Sequence, residues 1–269
     1  MTPAKTIKEA WARLKFLYPE DTWFGGVHLE ENKPRLTKML TDMTRWHPQG
    51  TTARLVDVGC YNGFLCYLFG QLGYETTGID ALGEEVVPER PRILAEVGAP
   101  YFEANFNALD PFTKLPAAHF DVAILGEVIE HILNHPVGFA RAIGGLLKPG
   151  GRLILTTPNP LTLANAFRVL RGQSTCWGDS EFAAMPKQDA AGGLISFEGI
   201  HYREYGRSAL LALLREAGFI IESHAYLSMG TSRNQTVLKR AIKALPGWRQ
   251  LEQSRLFGMS HYVVARRPA

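Results

Sequence analysis

Two carboxylates and two histidines in this sequence have the side-chain types that bind metal ions or accept protons. Glu127, Glu130 and His131 are spaced i, i+3 and i+4, which places them on one face if the segment is helical, and His201 follows farther along the chain. Such a set can hold Mg²⁺, Mn²⁺, Fe²⁺ or Zn²⁺, so the first hypothesis is a divalent metal site formed by these four residues. The second is that His131 and His201 are catalytic residues that accept a hydroxyl proton. The third, a purely structural Glu130–His131 pair, also stays open.

A glycine-containing segment, LVDVGCYNGFLCYLF at residues 55–69, joins a β-rich run to an apolar run with helical spacing. Gly59 and Gly63 allow the tight turn and the close approach of backbone to a ligand. Their spacing, G-x-x-x-G, differs from the G-x-G-x-x-G loop that binds dinucleotides. Asp57 would repel a pyrophosphate but would attract an ammonium group. The segment therefore predicts a nucleoside that carries an amino acid, rather than NAD.

Polar residues also follow the next two predicted strands. Asp80 ends the second one, where a carboxylate can accept two hydrogen bonds from a ribose diol, although an acid there can also be a helix N-cap. Asn105 and Phe106 follow the third strand, where the amide could read an adenine amino group and the ring could stack on the base. These positions add a nucleoside site to the prediction.

Alternating strands and helices must position these residues, which indicates βαβ units and a mostly parallel sheet. The predicted strands are 54–58, 74–80, 100–103, 120–125, 152–156, 219–226 and 257–265. The predicted helices are 5–17, 34–46, 64–72, 83–97, 136–147 and 208–217. We expect a helical N-terminal cap over 1–50, with Pro34 opening its second helix, and a catalytic domain over 51–269. Within that domain, 158–200 is predicted as a substrate lid and 230–254 as a basic amphipathic insertion.

The composition excludes several other classes of protein. At 269 residues, 46% hydrophobic and 20% charged, the chain is globular and long enough for one domain with insertions. Cys60, Cys66 and Cys176 form neither a disulfide framework nor a zinc pattern, and the first residues lack a signal peptide, so we expect a cytoplasmic protein. The net charge of +3 divides into +7 from Arg233 onward and −4 before it. A basic end can meet nucleic acid or an anionic surface, but it is more often a solvated face.

The ordered motifs resemble those of class I S-adenosylmethionine-dependent methyltransferases. They are the glycine loop, the acid after strand two, the polar–aromatic pair after strand three, FDVAILGEVIEH and LLKPGGRLILTTPN, and they cover roughly residues 53–228. The resemblance implies a Rossmann-like, doubly wound sheet of seven strands, with the last strand antiparallel.

The resemblance also implies a role for each motif residue. Asp57, Gly59 and Gly63 would meet the methionyl part of S-adenosylmethionine, and Asp80 would hold the ribose. Adenine would lie against Asn105 and Phe106, and the Gly126–Glu127 backbone would line the sulfonium side. Tyr61 departs from the family loop, whose middle position is usually glycine. Its side chain must point away from the cofactor or pack beside the cofactor or substrate.

A narrower likeness rests on EVIEHI and on HYREYGRSALLALLREAGF. Both are similar to segments of ubiquinone-biosynthesis O-methyltransferases and of natural-product and sugar methyltransferases. In the layout of this family the second segment returns to the active edge of the sheet, so the resemblance places His201 there. The Glu-x-x-Glu-His pattern with a distant histidine also resembles small-RNA 2′-O-methyltransferases, which hold a metal. The resemblance implies O-methylation of a small-molecule hydroxyl, with a divalent metal as a further cofactor. RNA 2′-O-methylation and N- or C-methylation are the alternatives. We do not expect a nucleic-acid partner, because no RNA-binding module is recognisable.

Overall fold

A computed structural model describes residues 3–19, 28–47, 52–81, 87–133, 135–174, 201–228 and 253–269. The strands are β1 (Arg54–Val58), β2 (Glu75–Asp80), β3 (Tyr101–Glu103), β4 (Phe120–Gly126), β5 (Leu147–Pro158), β6 (Ile220–Leu227) and β7 (Ser260–Arg266). The helices are α1 (Pro3–Leu17), α2 (His28–Trp46), α3 (Phe64–Gly70), α4 (Arg90–Ala95), α5 (Pro136–Leu146), α6 (Leu163–Leu170) and α7 (Arg207–Glu216). A single 3₁₀ turn, Ile129–His131, follows β4.

The seven strands form one sheet in the order β3-β2-β1-β4-β5-β7-β6. The pairs formed by β1 to β5 are parallel, and β7 is antiparallel to both of its neighbours, β5 and β6. This confirms the expected doubly wound sheet with an antiparallel last strand. The order of the strands reverses between β1 and β4, which is the place where open α/β sheets bind their ligands.

Helices cover both faces of the sheet because side chains of buried strands alternate between two apolar cores. Ile124 of β4 belongs to the core that contains α1, α2 and α3, whereas its neighbour Leu125 belongs to the core that contains α5 and α7. Strands β1, β4, β5 and β7 contribute to both layers in this way. The two N-terminal helices share one hydrophobic cluster with the sheet.

Three predicted elements were wrong in their details. The helix α2 begins at His28, so Pro34 lies inside it; Glu30 and Glu31 in the first turn favour the positive end of the helix dipole. The segment after β4 is a 3₁₀ turn and not a helix, because Glu127 has a left-handed φ of 59°. Finally, β5 begins at Leu147 and ends at Pro158, so it extends beyond both ends of the predicted strand 152–156.

The predicted lid and the predicted basic insertion lie largely outside the described residues, in 175–200 and 229–252. The first part of the lid segment is described and contains α6. Among the described residues, none of the helices has the length and apolar character that crossing a membrane requires.

Candidate active site

The predicted site residues meet where β1, β2 and β4 end. Asp57 is the next-to-last residue of β1, Asp80 ends β2 and Gly126 ends β4. Since β1 pairs with both β2 and β4 in parallel, their carboxyl ends share one edge of the sheet. The edge lies at the reversal of strand order, as expected for a ligand site.

The glycine loop owes its two glycines to packing as well as to backbone conformation. Gly59 has a φ of +81°, and a Cβ there would lie 2.3 Å from the Cγ2 atom of Val128. Gly63 has a φ of +83° just before α3, and a Cβ there would lie 2.8 Å from Leu94. Tyr61 also has a positive φ, 45°, which explains why a glycine would suit this position; its side chain is 42% exposed.

Two buried carboxyl groups, those of Asp57 and Asp80, interact beside the glycine loop. Burial and the neighbouring Asp80 carboxylate raise the pKa of Asp57 to about 7, and Arg35 opposes this shift. Asp80 accepts a hydrogen bond of 2.6 Å from the backbone N–H of Tyr61 and lies 4.0 Å from the guanidinium of the buried Arg90. Because Arg90 offsets the negative charge of Asp80, a bound cation is more favourable beside Asp57 than beside Asp80.

Arg35 is a site residue that the sequence analysis missed. It projects from α2 to the end of the sheet, where its Nη1 atom lies 3.4 Å from Thr156 Oγ1 and 3.4 Å from Glu127 Oε1. Among the described residues, Arg35 Nε, Glu127 Oε1 and Glu130 Oε1 are buried without a hydrogen-bond partner. A ligand with both an ammonium and a carboxylate would suit this mixed set, so the residues fit the amino-acid part of S-adenosylmethionine. No sequence signal marks Arg35, since a single arginine on a helix is common.

The two residues expected at adenine have different environments. Asn105 uses its side-chain oxygen to accept a hydrogen bond of 3.0 Å from the Asn107 N–H, and it lines a cavity of about 240 Å³ beyond β2 and β3. Phe106 is 8% exposed and packs against Phe112 and Phe139 in the core. The Phe106 ring is thus a core group, and adenine recognition here stays a prediction.

The structure brings three of the four predicted metal ligands together. Glu130, His131 and His201 each offer one ligating atom, and these atoms lie within 4.8 Å of one another. The His131 and His201 rings are edge-to-face with centroids 4.9 Å apart. Glu127 is not in this group; the left-handed φ of its backbone turns it away from a helical face, and its carboxylate contacts Arg35.

Glu130 is the fully buried member of the group. Its Oε2 atom accepts a hydrogen bond of 2.8 Å from Thr157 Oγ1, and its backbone carbonyl accepts from the N–H groups of Tyr202 and Arg203. These backbone bonds attach the segment that carries His201 to the 3₁₀ turn. Burial and the nearby Glu127 raise the pKa of Glu130 well above its ordinary value. A cation bound beside Glu130 would therefore favour its charged form.

Comparison with known proteins decides the family. A methyltransferase-domain family model matches residues 29–224, which is most of the chain. The chain belongs to this methyltransferase family. S-Adenosylmethionine is the cosubstrate of this methyltransferase family.

One curated relative and two solved structures are similar to this methyltransferase. It is 31% identical over 197 residues to a ubiquinone biosynthesis O-methyltransferase of Xanthomonas axonopodis pv. citri, covering 72% of this chain and 73% of the relative. It also resembles an S-adenosylmethionine-dependent methyltransferase from Mesorhizobium loti, with a TM-score of 0.54, 22% identity and coverage of 86% and 97%. The methyltransferase bound to the Trm112 activator of Haloferax volcanii gives a TM-score of 0.59 at 14% identity, with coverage of 94% and 97%. At these low identities, the two solved structures support the fold alone.

Proposed function

We propose that this methyltransferase transfers the methyl group of S-adenosylmethionine to a hydroxyl group of a small molecule. The observation that carries the proposal is the pair of imidazoles, His131 and His201, with ring centroids 4.9 Å apart beside the edge where β4 ends. The Xanthomonas relative is named as an O-methyltransferase, which supports the same chemistry.

The cosubstrate would occupy the edge formed by β1, β2 and β4. Asp57 would pair with its ammonium group, Arg35 with its carboxylate and Asp80 with its ribose. The backbone of Gly59, Tyr61 and Gly63 would border it on one side, and the Gly126–Glu127 backbone on the other. Asn105 and Phe106 remain the proposed adenine contacts. When bound, S-adenosylmethionine supplies a methyl group on a positively charged sulfur, which is an already activated leaving group.

The protein's own contribution is to position the acceptor and to take its proton. Holding two reactants in a reactive geometry can lower the barrier by about 7–11 kcal/mol. A hydroxyl nucleophile must also lose a proton, and a positioned imidazole typically accelerates such a step about 10²–10⁴-fold. An amine acceptor needs no such base. His131 and His201 at the edge therefore favour oxygen over nitrogen as the nucleophile.

Methylation of an acceptor panel tests the proposal directly. The full chain is incubated with S-adenosylmethionine and a catechol, a phenol, a sugar and a primary amine, and the products are identified by mass spectrometry. We expect a methyl ether from a hydroxyl acceptor, and His131→Gln or His201→Gln should slow its formation about 10²–10⁴-fold. His119→Gln, at the opposite end of β4, is the matched control and should retain activity. Methylation of the amine alone would contradict O-methylation.

Metal assistance is a second form of the same proposal, and the grouping of Glu130, His131 and His201 favours it. A divalent ion held by these three residues would acidify the acceptor hydroxyl. A chelator should then abolish methyl transfer while leaving the affinity for S-adenosylhomocysteine intact, since the ion would contact the acceptor. Full activity in the presence of the chelator would mean that an imidazole accepts the hydroxyl proton without a metal ion.

A further inference from the structure

His201 has an acidic neighbour, Glu204, in addition to Glu130 and His131. Its Nδ1 atom lies 2.8 Å from Glu204 Oε1, and both side chains are largely buried, with 13% and 9% of their surface exposed. The two residues are spaced i, i+3 in a segment without regular secondary structure. In the proposed reaction, His201 acts through the group that it forms with Glu130 and His131, and Glu204 has no role in that group.

The chemistry of the contact selects one tautomer of the imidazole. A carboxylate accepts hydrogen bonds, so Nδ1 of His201 must carry the proton that lies between the two side chains. In a neutral imidazole, the other nitrogen, Nε2, then has a free lone pair. Among the described residues, no other hydrogen bond of His201 is seen, so Nε2 is available as an acceptor or a ligand.

The segment that holds this pair is itself fixed in place. The N–H groups of Tyr202 and Arg203 donate to the Glu130 carbonyl, at 2.9 and 3.3 Å. The loop that carries Glu204 is thus anchored to the residue whose carboxyl group belongs to the His131–His201 group. Rotation of the His201 ring would break its contact with Glu204, and hydrogen bonds to a charged group are among the stronger ones in proteins.

We propose that Glu204 is a positioning residue that holds His201 in the Nδ1–H tautomer, so that its Nε2 lone pair faces the reacting group. The inference rests on the proposed function, because it names what orients one of its two histidines. It applies whether Nε2 accepts a proton or binds an ion, since a carboxylate on the second nitrogen orients histidines in both kinds of site. Glu204 itself does not contact the substrate.

Nitrogen NMR of the full chain, labelled with ¹⁵N-histidine and saturated with S-adenosylhomocysteine, tests the proposal. The two tautomers give opposite assignments of the protonated and the unprotonated ring nitrogen. His201→Gln identifies the His201 signals by removing them from those of the eight histidines. We expect Nδ1 to be protonated in the native protein, and Glu204→Leu, which removes the hydrogen-bond acceptor, to abolish that preference.

Two comparisons make the outcome decisive. Glu222→Leu removes a partly buried carboxylate of β6 that pairs with Arg152 and Arg266 of the neighbouring strands, and it should leave the His201 signals unchanged. Glu204→Asp, which keeps the charge, should restore the Nδ1–H signal at least in part. A native His201 with Nε2 protonated, or a Glu204→Leu spectrum identical to the native one, overturns the proposal.

The binding measurement separates this proposal from the proposed function. Calorimetry should give the same affinity for S-adenosylhomocysteine in the native, Glu204→Leu and Glu222→Leu proteins, because Glu204 lies outside the cosubstrate edge. Failure of the native protein to bind S-adenosylhomocysteine would refute the proposed function, whatever the tautomer. Binding together with the wrong tautomer would refute only the role of Glu204.

Discussion

At the scale of single residues, Asp57 is an acid placed where its charge is unfavourable until a ligand arrives. It is 2% exposed, and its pKa is raised to about 7 by burial and by Asp80. In the unfolded chain the same group ionises near its ordinary value of about 4. Between these two values the folded state binds the extra proton, so the stability of the ligand-free protein falls as the pH rises through this window.

The affinity for S-adenosylhomocysteine should therefore depend on pH. The ammonium group of the ligand favours ionised Asp57, which must release its proton below a pH of about 7. We expect affinity to rise by up to about tenfold per pH unit between about pH 5 and pH 7 and then to level off. Calorimetry in buffers of different ionisation enthalpy measures both the affinity and the released proton.

Asp57→Asn provides the control for that prediction. The variant should bind weakly at every pH, and without ligand it should be more stable than the native protein at about pH 8, because the buried charge is gone. A native affinity independent of pH would show that Asp57 does not meet the ammonium group.

Arg35 gives a second prediction at the residue scale. Arg35→Leu should weaken the binding of S-adenosylhomocysteine about tenfold to a hundredfold, since a hydrogen bond to a charged group contributes about 1.5–3 kcal/mol. Arg45→Leu, on the exposed side of the same helix, is the matched control and should bind normally. Equal affinities for S-adenosylhomocysteine in both variants would show that Arg35 does not bind the ligand.

At the scale of elements, the contact between the glycine loop and the turn after β4 joins the two sides of the cosubstrate edge. Val128 precedes the 3₁₀ turn and packs directly on Gly59, so the loop after β1 and the segment that carries Glu130 and His131 are set against each other. A side chain at Gly59 would separate them, and it would also require a left-handed conformation.

Gly59→Ala should therefore destabilise the protein by about 2–4 kcal/mol, combining strain at positive φ with overpacking against Val128. Urea denaturation measures the loss. Adding Val128→Ala should recover part of it, with a coupling energy of about 1–3 kcal/mol between the two sites. Strictly additive effects would mean that Val128 does not limit the space at Gly59.

At the scale of the whole molecule, α1 and α2 form a layer on one face of the sheet. Trp11 of α1 is 4% exposed and lies edge-to-face against Phe64 of α3, with ring centroids 5.1 Å apart. The same cluster contains Leu55 of β1 and Ile124 of β4, so the helices bury the face beneath the site. Through α2 this layer also brings Arg35 to the cosubstrate edge.

Truncation of Trp11 should consequently weaken the entire fold. Trp11→Ala is expected to cost about 3–5 kcal/mol and to keep a single unfolding transition by fluorescence and circular dichroism. Phe16→Ala, on the same helix but 84% exposed, should change stability by less than about 0.5 kcal/mol. A separate early transition for the N-terminal helices in Trp11→Ala would instead support an independent helical cap.

Local patterns in the sequence were sufficient for the fold and for the positions of Asp57, Gly59, Gly63 and Asp80. Alternation of strands and helices depends on apolar periodicity, and positive φ requires glycine, so both leave signals within a few residues. The turn after β4 shows the limit of such signals: the spacing of Glu127, Glu130 and His131 predicted a helical face, yet a left-handed residue changed the direction of the first side chain.

The sequence by itself thus determined the parallel sheet, the glycine loop and the acids at its strand ends. The tertiary structure alone placed Arg35 beside Asp57 and separated Glu127 from the histidine group. It also buried Phe106 in the core and joined Glu204 to His201. The physical reason is that charge pairing, burial and the tautomer of a histidine depend on which distant segments meet, whereas periodicity and backbone propensity act between neighbours along the chain.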